Sequence, residues 1–314
     1  MNEVSSSEPD LVIQVEGLVK NYGNTRAVDG LDLAVHSGEV FSILGPNGAG
    51  KTTTVEVLEG LRKPDSGKFS VLGLDPWHDG YTLHKKVGVM PQGFRFFDKS
   101  TPREAISYYA SLFGTSPDAE EILEIVGLSD AADKHFQDLS GGQKQKVGLA
   151  LAMVNDATLV FLDEPTTGLD PQSRRGIWDV IRNLKKHGST ILLTTHYLEE
   201  AEQLSDRVAI MNNGKIIVCD TPSHLISKYG SERKVVVSGG SKMYEYLKSA
   251  LSFRVEAVDS ESVQIYVPSS TDILKVVKAI DESGLPYEEL SVRRDSLEDV
   301  FIFLVGRMKE GELS

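Results

Sequence analysis

Two glycine-bearing motifs in this 314-residue chain could bind phosphate groups. The first, Gly-Pro-Asn-Gly-Ala-Gly-Lys-Thr at residues 45–52, matches the phosphate-loop pattern G-x-x-x-x-G-K-[ST]. Its glycines let backbone N–H groups approach an anion closely, as the charge of a phosphate chain requires. The second motif, Leu-Ser-Gly-Gly-Gln at residues 139–143, places glycine amides where a helix should begin. A single nucleotide-binding loop does not need this second phosphate-reading surface.

The phosphate loop assigns specific roles to side chains. Lys51 should reach the β- and γ-phosphates, the hydroxyl of Thr52 should bind Mg²⁺, and Thr53 is placed to reach the α-phosphate. The alternative is a glycine-rich turn before any helix, but every fixed position is filled and a strand is expected in front. The predicted phosphate-binding residues are Gly45, Pro46, Asn47, Gly48, Ala49, Gly50, Lys51, Thr52 and Thr53.

Paired carboxylates follow a buried-strand pattern further along the chain. Leu-Val-Phe-Leu at residues 159–162 is a four-residue apolar run, and Asp163 and Glu164 come directly after it. Asp163 could hold Mg²⁺ through water, and Glu164 could polarise an attacking water. An Asp-Glu pair at a strand end is also common as a solvated turn. The following Pro165 and the Thr-Thr-Gly-Leu-Asp at residues 166–170 favour the catalytic interpretation.

Bulk composition excludes several classes of protein. The hydrophobic and charged fractions, 40% and 25%, are ordinary for a globular protein, and the net charge of −13 argues against general nucleic-acid binding. The single cysteine, Cys219, excludes an internal disulfide framework and fits a reducing compartment. The polar, acidic start is no secretory signal. No apolar run is long enough to cross a membrane, since residues 147–162 are broken by Asn155 and Asp156.

Strand patterns alternate with helix patterns up to about residue 220, which predicts a parallel α/β core with an antiparallel β layer in front. The predicted strands cover residues 11–15, 31–35, 40–44, 87–90, 159–162 and 191–193, with a further strand near Val71 and a hairpin around Asn213-Gly214. The predicted helices cover residues 51–60, 102–113, 117–126, 142–154, 172–186 and 197–204.

A second pattern follows the shift in composition at Asp220-Thr221-Pro222. Strands and helices there alternate as βαββαβ, which predicts a small α+β ferredoxin-like domain, and a last helix covers residues 296–305. We therefore expect a disordered tail at residues 1–10, a nucleotide-binding domain at residues 11–220 and an accessory domain at residues 221–314.

Together these motifs resemble the ATP-binding-cassette (ABC) ATPases over roughly residues 11–220. The fold implied is the ABC cassette of the phosphate-loop NTPases, with a helical subdomain. In that family the signature motif of one subunit closes over the ATP held by another. The resemblance therefore implies that Ser140 and Gly142 contact ATP bound to a second copy, and that residues 161–170 form the Walker B motif and the D-loop, which ends at Asp170.

The resemblance also gives roles to three residues whose signals are weak alone. Gln92 resembles the Q-loop glutamine that senses Mg²⁺ and the attacking water. His196 resembles the switch histidine that contacts the γ-phosphate and orients the water and Glu164. Tyr22 resembles the aromatic that stacks on adenine. The alternatives are an ordinary loop glutamine, a structural histidine and a turn aromatic packed on the β layer. Lys144 and Lys146 stand where many relatives carry arginine, so bidentate contacts would be lost.

The subtype rests on residues 47–54, 195–202 and 295–301, which look like the separate ATPase subunits of ABC-2-type exporters, including daunorubicin-resistance and sodium-efflux ATPases. That subtype implies ATP and Mg²⁺ as cofactors, a homodimer or pseudo-dimer, and a separately encoded membrane permease. It also implies a cytoplasmic location, peripheral to the cell membrane through that permease. The alternative is a soluble regulatory or non-transport ABC ATPase that uses its C-terminal domain for sensing or assembly.

Overall fold

The computed structural model describes residues 10–230, 233–293 and 295–309. The chain divides into two compact units, which meet in the sequence at Pro222 and Ser223. The predicted disordered tail, residues 1–10, lies outside the described residues except for Asp10.

The first unit contains a six-stranded sheet, a three-stranded sheet and the helices that connect and cover them. The strands are β1 (Leu11–Tyr22), β2 (Thr25–His36), β3 (Val40–Leu44), β4 (Ser66–Val71), β5 (Val87–Met90), β6 (Leu159–Asp163), β7 (Thr190–Thr195), β8 (Arg207–Asn212) and β9 (Lys215–Asp220). The α-helices are α1 (Lys51–Leu58), α2 (Gly80–His84), α3 (Pro102–Phe113), α4 (Ala119–Ile125), α5 (Gly141–Leu151), α6 (Pro171–Lys186) and α7 (Leu198–Leu204).

The six-stranded sheet has the order β5-β6-β7-β3-β8-β9 and is parallel except for the edge strand β9. Strands β3, β6 and β7 are buried along their whole length, as expected for parallel strands covered on both faces. Alternate residues of β6 belong to two different apolar clusters. Leu159 and Phe161 pack with α1 and the three-stranded sheet, while Val160 and Leu162 pack with the helices α3 to α6.

The three-stranded antiparallel sheet has the order β2-β1-β4 and is the expected antiparallel layer. Its strands β1 and β2 run for 12 residues each, far longer than predicted. The register between them shifts at four places, including the step from Val15 to Leu18. Such bulges break the alternation of apolar and polar residues, which is why the sequence pattern revealed only the ends of this hairpin.

Capping residues set the starts of the helices between β5 and β6. Thr101 forms a capping box with Glu104, and Pro102 occupies the first turn of α3. The prediction that α4 begins at Pro117 is wrong by two residues. The side chain of Asp118 accepts a hydrogen bond from the Glu120 N–H, so Asp118 is the N-cap and the helix begins at Ala119.

The second unit contains one four-stranded antiparallel sheet and the helices around it. Its elements are α8 (Pro222–Tyr229, which starts at the unit boundary), β10 (Arg233–Ser238), α9 (Gly240–Ala250), β11 (Arg254–Ala257), β12 (Ser262–Val267), α10 (Ser270–Glu282), β13 (Leu290–Arg293) and α11 (Leu297–Lys309). The sheet order β11-β12-β10-β13 with βαββαβ connectivity is the ferredoxin-like arrangement. Across the described residues of both units, no helix could span a lipid bilayer.

Gly88 lets the end of α5 lie against strand β5. A Cβ at Gly88 would lie 2.0 Å from the carbonyl oxygen of Ala152, a backbone atom that cannot rotate away. Gly88→Ala should therefore lower the free energy of unfolding by about 1–3 kcal/mol, as overpacked core substitutions do. The measurement is urea unfolding of the full-length protein. Gly80→Ala is the matched control, because its nearest new neighbour is a side-chain atom of His84 at 3.9 Å. Equal losses in both variants would contradict the packing argument.

Candidate nucleotide-binding and hydrolysis site

The site lies where the neighbouring parallel strands β3, β6 and β7 end. Leu44 pairs with Thr195, and Asp163 pairs with Thr194, so the three carboxyl ends finish at the same level of the sheet. The Gly45 N–H also donates to the Thr195 carbonyl, at 3.3 Å. The phosphate loop, the carboxylate pair and the segment before His196 are therefore held side by side by backbone pairing.

Two glycines of the phosphate loop are required by close backbone contacts. Gly50 has φ of 105°, and a Cβ there would lie 2.2 Å from the Ala27 carbonyl oxygen. A Cβ at Gly45 would lie 2.3 Å from the Met211 carbonyl oxygen. The loop is thus packed between the β2 strand and the end of β8, and α1 begins directly after it.

Lys51 is the first residue of α1, and its side chain is only 5% exposed. Its ammonium group donates to the carbonyl oxygens of Gly45 and Pro46 at 3.0 and 3.2 Å. It also forms an ion pair with Glu164, with 3.2 Å between Nζ and Oε1. The buried Lys51 ammonium therefore links the phosphate loop to Glu164, which directly follows strand β6.

The Glu164 carboxylate receives hydrogen bonds from several directions. Gln92 Nε2 and Thr167 Oγ1 donate to Oε2 at 3.1 and 3.0 Å, and His196 Nδ1 lies 3.1 Å from the same oxygen. Burial raises the pKa of Glu164, but the charge and hydrogen bond of Lys51 and the hydrogen bond of Thr167 outweigh it, so the net pKa is lowered. The carboxylate is therefore kept ionised, as a base must be.

The backbone of Glu164 is in the left-handed region, with φ of 49°. Its N–H donates both to the carbonyl oxygen and to the hydroxyl oxygen of Thr194, each at 3.1 Å. Non-glycine residues rarely adopt this conformation, and such strain is concentrated at functional sites. The turn ends β6 abruptly and directs the Glu164 side chain toward Lys51.

Asp163 is the last residue of β6, and its side chain faces helix α1. Its Oδ1 accepts a hydrogen bond from Thr194 and another from Thr52 at 3.3 Å. Burial raises the pKa of Asp163, and the two hydrogen bonds offset this effect only in part. The ionised carboxylate is therefore poorly solvated, and a nearby cation would stabilise it. Carboxylate and hydroxyl oxygens are ligands that suit Mg²⁺, so the pair fits the ion that the sequence predicts.

A cavity of about 470 Å³ opens between these groups and the tip of the β1–β2 hairpin. The predicted residues that line it are Tyr22, Asn47, Gly48, Gly50, Lys51, Thr52, Thr53, Gln92, Glu164 and His196. Tyr22, at the hairpin tip, is 42% exposed, and the Lys20 ammonium lies 5.4 Å from its ring centre. Ala27 and Thr167 also line the cavity but were missed by the motif analysis. Thr167 had a usable signal, since it follows Glu164 by three residues within the same motif.

The signature residues Ser140 and Gly142 lie outside this cavity, at the start of α5. Ser140 is the N-cap, and its hydroxyl oxygen accepts from the Gln143 N–H at 3.3 Å, while the Gln143 side chain accepts from the Ser140 N–H. Ser140 is exposed, and Gly142 is buried against Ser173, whose side chain would lie 3.0 Å from a Cβ. The structure does not bring these residues to the Lys51 and Glu164 of the same chain.

Asp170 also lies outside the cavity lining and is the N-cap of α6. Its carboxylate accepts from the N–H groups of Gln172 and Ser173, both at 3.0 Å. The hydrogen bonds of Ser173 lower its pKa. Pro46 and Ala49 stabilise the turn of the phosphate loop, because the Ala49 N–H donates to the Pro46 carbonyl at 3.1 Å.

Comparison with known proteins places this site in a family. A family model described as ABC transporter matches residues 28–167. A daunorubicin resistance ATP-binding protein of Streptomyces coeruleorubidus is 36% identical over 313 residues, which cover 96% of this chain and 99% of the relative. The chain belongs to the ABC transporter family. A Nod factor export ATP-binding protein of Mesorhizobium japonicum is also 36% identical, with 98% of this chain and 91% of the relative covered.

The cassette fold is shared with solved ABC structures. An ATP-binding subunit of an ABC transporter has a TM-score of 0.62 and 28% identity over 70% of this chain and 93% of that one. The predicted ABC fold, the ATPase class and the exporter subtype are thereby confirmed, and this ABC protein is the ATP-binding subunit of an exporter. These comparisons favour the exporter over the soluble regulatory alternative.

Glu59 is a buried carboxyl at the end of α1, 5% exposed. Burial, then Asp163 and then Glu56, raise its pKa from 4.5 to about 8. Between these two pH values the unfolded chain loses the proton while the folded chain keeps it, so stability falls as pH rises. Glu59→Gln removes this dependence. Its free energy of unfolding should therefore increase relative to wild type between about pH 5 and pH 8.

Thermal unfolding in magnesium-free buffer at both pH values measures this difference. Glu124→Gln, at an exposed position of α4, is the control and should follow wild type at both values. A Glu59→Gln variant whose advantage does not grow with pH would contradict the assignment.

Proposed function

We propose that the chain hydrolyses ATP at the Lys51–Glu164 site and that two copies close around the bound nucleotide to drive a separate membrane permease. The observation that carries this proposal is the Glu164 carboxylate, which is kept ionised and is contacted by Lys51, Gln92, Thr167 and His196. Three separate segments of the chain, together with Thr167 from the segment of Glu164 itself, converge on one carboxylate, an arrangement suited to a base that must be held in one orientation.

Each side chain has a proposed part in the reaction. The Lys51 ammonium donates hydrogen bonds to backbone oxygens of the phosphate loop, and in the proposed complex it would donate to the β- and γ-phosphates instead. That exchange would release Glu164 Oε1 from its ion pair, so that the carboxylate can accept a proton from the attacking water. Gln92 and His196 would hold Glu164 and the water in line with the γ-phosphate.

Thr52 and Asp163 would hold Mg²⁺, with Gln92 beside them. The bound ion would neutralise charge on the phosphates as the γ-phosphate is transferred. The Thr194 hydroxyl donates to the Asp163 carboxylate and accepts from the backbone N–H of Glu164, so it fixes the Asp163 side chain relative to the Glu164 backbone. Thr194 is therefore proposed as the residue that keeps metal ligand and base in register.

The base would stack on Tyr22, and the triphosphate would follow residues 45–53. Within one chain the signature motif lies outside this cavity, so Ser140 and Gly142 would act on ATP held by a second copy. The capping box supports that role for Ser140. Its oxygen is engaged by the Gln143 N–H, which leaves the hydroxyl hydrogen available as a donor. Asp170 would contribute from its exposed position before α6.

The permease is proposed as a separate chain, and its presence would place this ATPase at the cytoplasmic face of the cell membrane. The two relatives described above act in drug resistance and in Nod factor export, as their names state. The accessory unit, residues 221–314, is proposed as an assembly or sensing module of that complex. A neighbouring gene with several apolar spans, each of about 20 residues, would support the transport role.

Glu164→Gln should abolish turnover while leaving ATP binding intact. The amide preserves the size of the side chain but cannot accept the proton from water. We expect ATP to trap a dimer that wild-type protein forms only transiently. Size-exclusion chromatography with light scattering, with and without ATP, measures the trapped species. A variant that hydrolyses ATP at the wild-type rate would rule out Glu164 as the base.

The signature assignment is tested with mixed dimers. Ser140→Arg places a long cation where the partner's γ-phosphate should lie, so it should block hydrolysis in the neighbouring subunit's site. A dimer of one wild-type subunit and one subunit that carries both Ser140→Arg and Glu164→Gln leaves a single competent Glu164, in the wild-type subunit, and the signature motif that faces it is the altered one. The matched control is Ser129→Arg, at an exposed position outside the motif. In the control dimer, Ser129→Arg replaces Ser140→Arg in the double variant. If Ser140→Arg and the control give equal turnover in the mixed dimer, the contact across subunits is wrong.

A further inference from the structure

Helix α7 contains a fully buried carboxyl group, Glu200, which the proposed reaction does not use. Its exposure is 0%, and its Oε1 accepts hydrogen bonds from Thr166 Oγ1 at 2.8 Å and from Trp178 Nε1 at 2.9 Å. The second oxygen, Oε2, is buried and makes no hydrogen bond of ordinary geometry among the described residues. Burial raises the pKa of Glu200, although the Thr195 side chain also acts on the carboxyl group and lowers that pKa.

Burying a carboxyl group without hydrogen bonds to both of its oxygens is unfavourable for folding. An apolar side chain of similar volume would pack there without desolvating a polar group. Buried polar groups of this kind are best explained by the geometry that their hydrogen bonds impose. The question is therefore which segments Glu200 holds together.

The hydrogen bond between Thr166 and Glu200 joins two segments of the chain. One segment contains Glu164 and the other contains His196, and these two side chains face each other in the site. Thr166 is separated from Glu164 only by Pro165, and it is itself fully buried. Helix α7, which contains Glu200, begins immediately after His196 and its neighbour Tyr197. The hydrogen bond from Thr166 to Glu200 thus closes a bridge between the chain that follows Glu164 and the helix that follows His196.

Stacked side chains form a second connection to the imidazole. The guanidinium of Arg174 lies 4.0 Å from the ring centre of Tyr197, and the Tyr197 and His196 rings are 4.2 Å apart between centres. The Arg174 charge also acts on Glu200. Because Arg174 lies in α6, this stack holds the start of α7 against α6 without the hydrogen bond between Trp178 and Glu200.

We propose that Glu200 is a positioning residue for ATP hydrolysis, which holds His196 against the Glu164 carboxylate through Thr166 and through helix α7. This proposal rests on the proposed function of Glu164 and His196. The distance that it controls is the 3.1 Å contact between His196 Nδ1 and Glu164 Oε2. Trp178 anchors the same carboxyl to α6 but has no direct connection to either reacting segment.

The test compares the two hydrogen bonds of one acceptor. Thr166→Val removes the bond toward Glu164 with little change of shape. Trp178→Phe removes the bond toward α6 and is the matched control. We expect Thr166→Val to lower kcat about tenfold or more, since small displacements in an active site have effects of that order, with KM for ATP within about twofold. Trp178→Phe should lose stability but keep kcat within about twofold of wild type.

Two further substitutions separate the hydrogen bond from the charge. Glu200→Gln keeps an oxygen acceptor for both donors and should retain kcat within about threefold, whereas Glu200→Leu removes the acceptor and should match Thr166→Val. If Glu200→Leu does not fold, the comparison of Thr166→Val with Trp178→Phe still decides the question.

A structural readout does not depend on turnover. The chain has seven histidines, and the ¹³C–¹H signal of the His196 ring is assigned by its loss in His196→Ala. That signal should move in Thr166→Val and stay in place in Trp178→Phe. Equal kcat for Thr166→Val and wild type, or equal losses in Thr166→Val and Trp178→Phe, would overturn the proposal. His196→Ala and Glu164→Gln serve as separate controls, because wild-type turnover in both would instead refute the proposed function.

Discussion

The parallel pairing of β3, β6 and β7 is the constraint on which the site depends. Backbone hydrogen bonds place Leu44 beside Thr195 and Asp163 beside Thr194, so three segments leave the sheet at the same edge. Each then contributes different groups to the site: the phosphate loop, the carboxylate pair and His196. Ligand sites at the carboxyl ends of parallel strands are a general property of α/β sheets, and here three neighbouring ends are used together.

Charge balance at that edge is the second requirement. The buried ammonium of Lys51 forms an ion pair with Glu164, while Asp163 has hydrogen bonds but, within the described part of the chain, no ion pair. A buried ion pair is expensive to desolvate and is stable only where further hydrogen bonds satisfy it. Gln92 and Thr167 provide them for the Glu164 carboxylate. The same contacts that offset burial also fix the direction of the side chain.

Much of the fold and the site could be predicted from local patterns. Apolar runs identified β3, β6 and β7, and capping residues located α3 closely, because these signals lie within a few neighbouring positions. The long β1–β2 hairpin was largely missed, since bulges break its alternation. Helix α2 was missed because it has five residues, of which only Leu83 is buried. No apolar periodicity can arise from one buried position.

The site shows the same division between local and distant information. Lys51 and Glu164 were predicted as site residues because each belongs to a short motif, whereas His196 was predicted from the family resemblance. The roles of Thr194 and Glu200 were not found, since a threonine in a strand and a glutamate in a helix are unremarkable until pairing brings other segments to them. Their side-chain partners Asp163, Thr166 and Trp178 lie 22 to 34 residues away in the chain. Only the folded structure reveals that they are buried and hydrogen-bonded.

The alternation along β6 has a consequence for how this protein can vary. Leu159, Phe161 and Asp163 share one face, while Val160 and Leu162 share the other, and each face belongs to a different apolar cluster. Inserting or deleting one residue in β6 would exchange the two faces of the strand. It would also turn the carboxylate that faces Thr52 away from α1. Evolution can therefore substitute the residues of this strand one at a time. A change of its length by a single residue would instead disrupt both clusters and the site together.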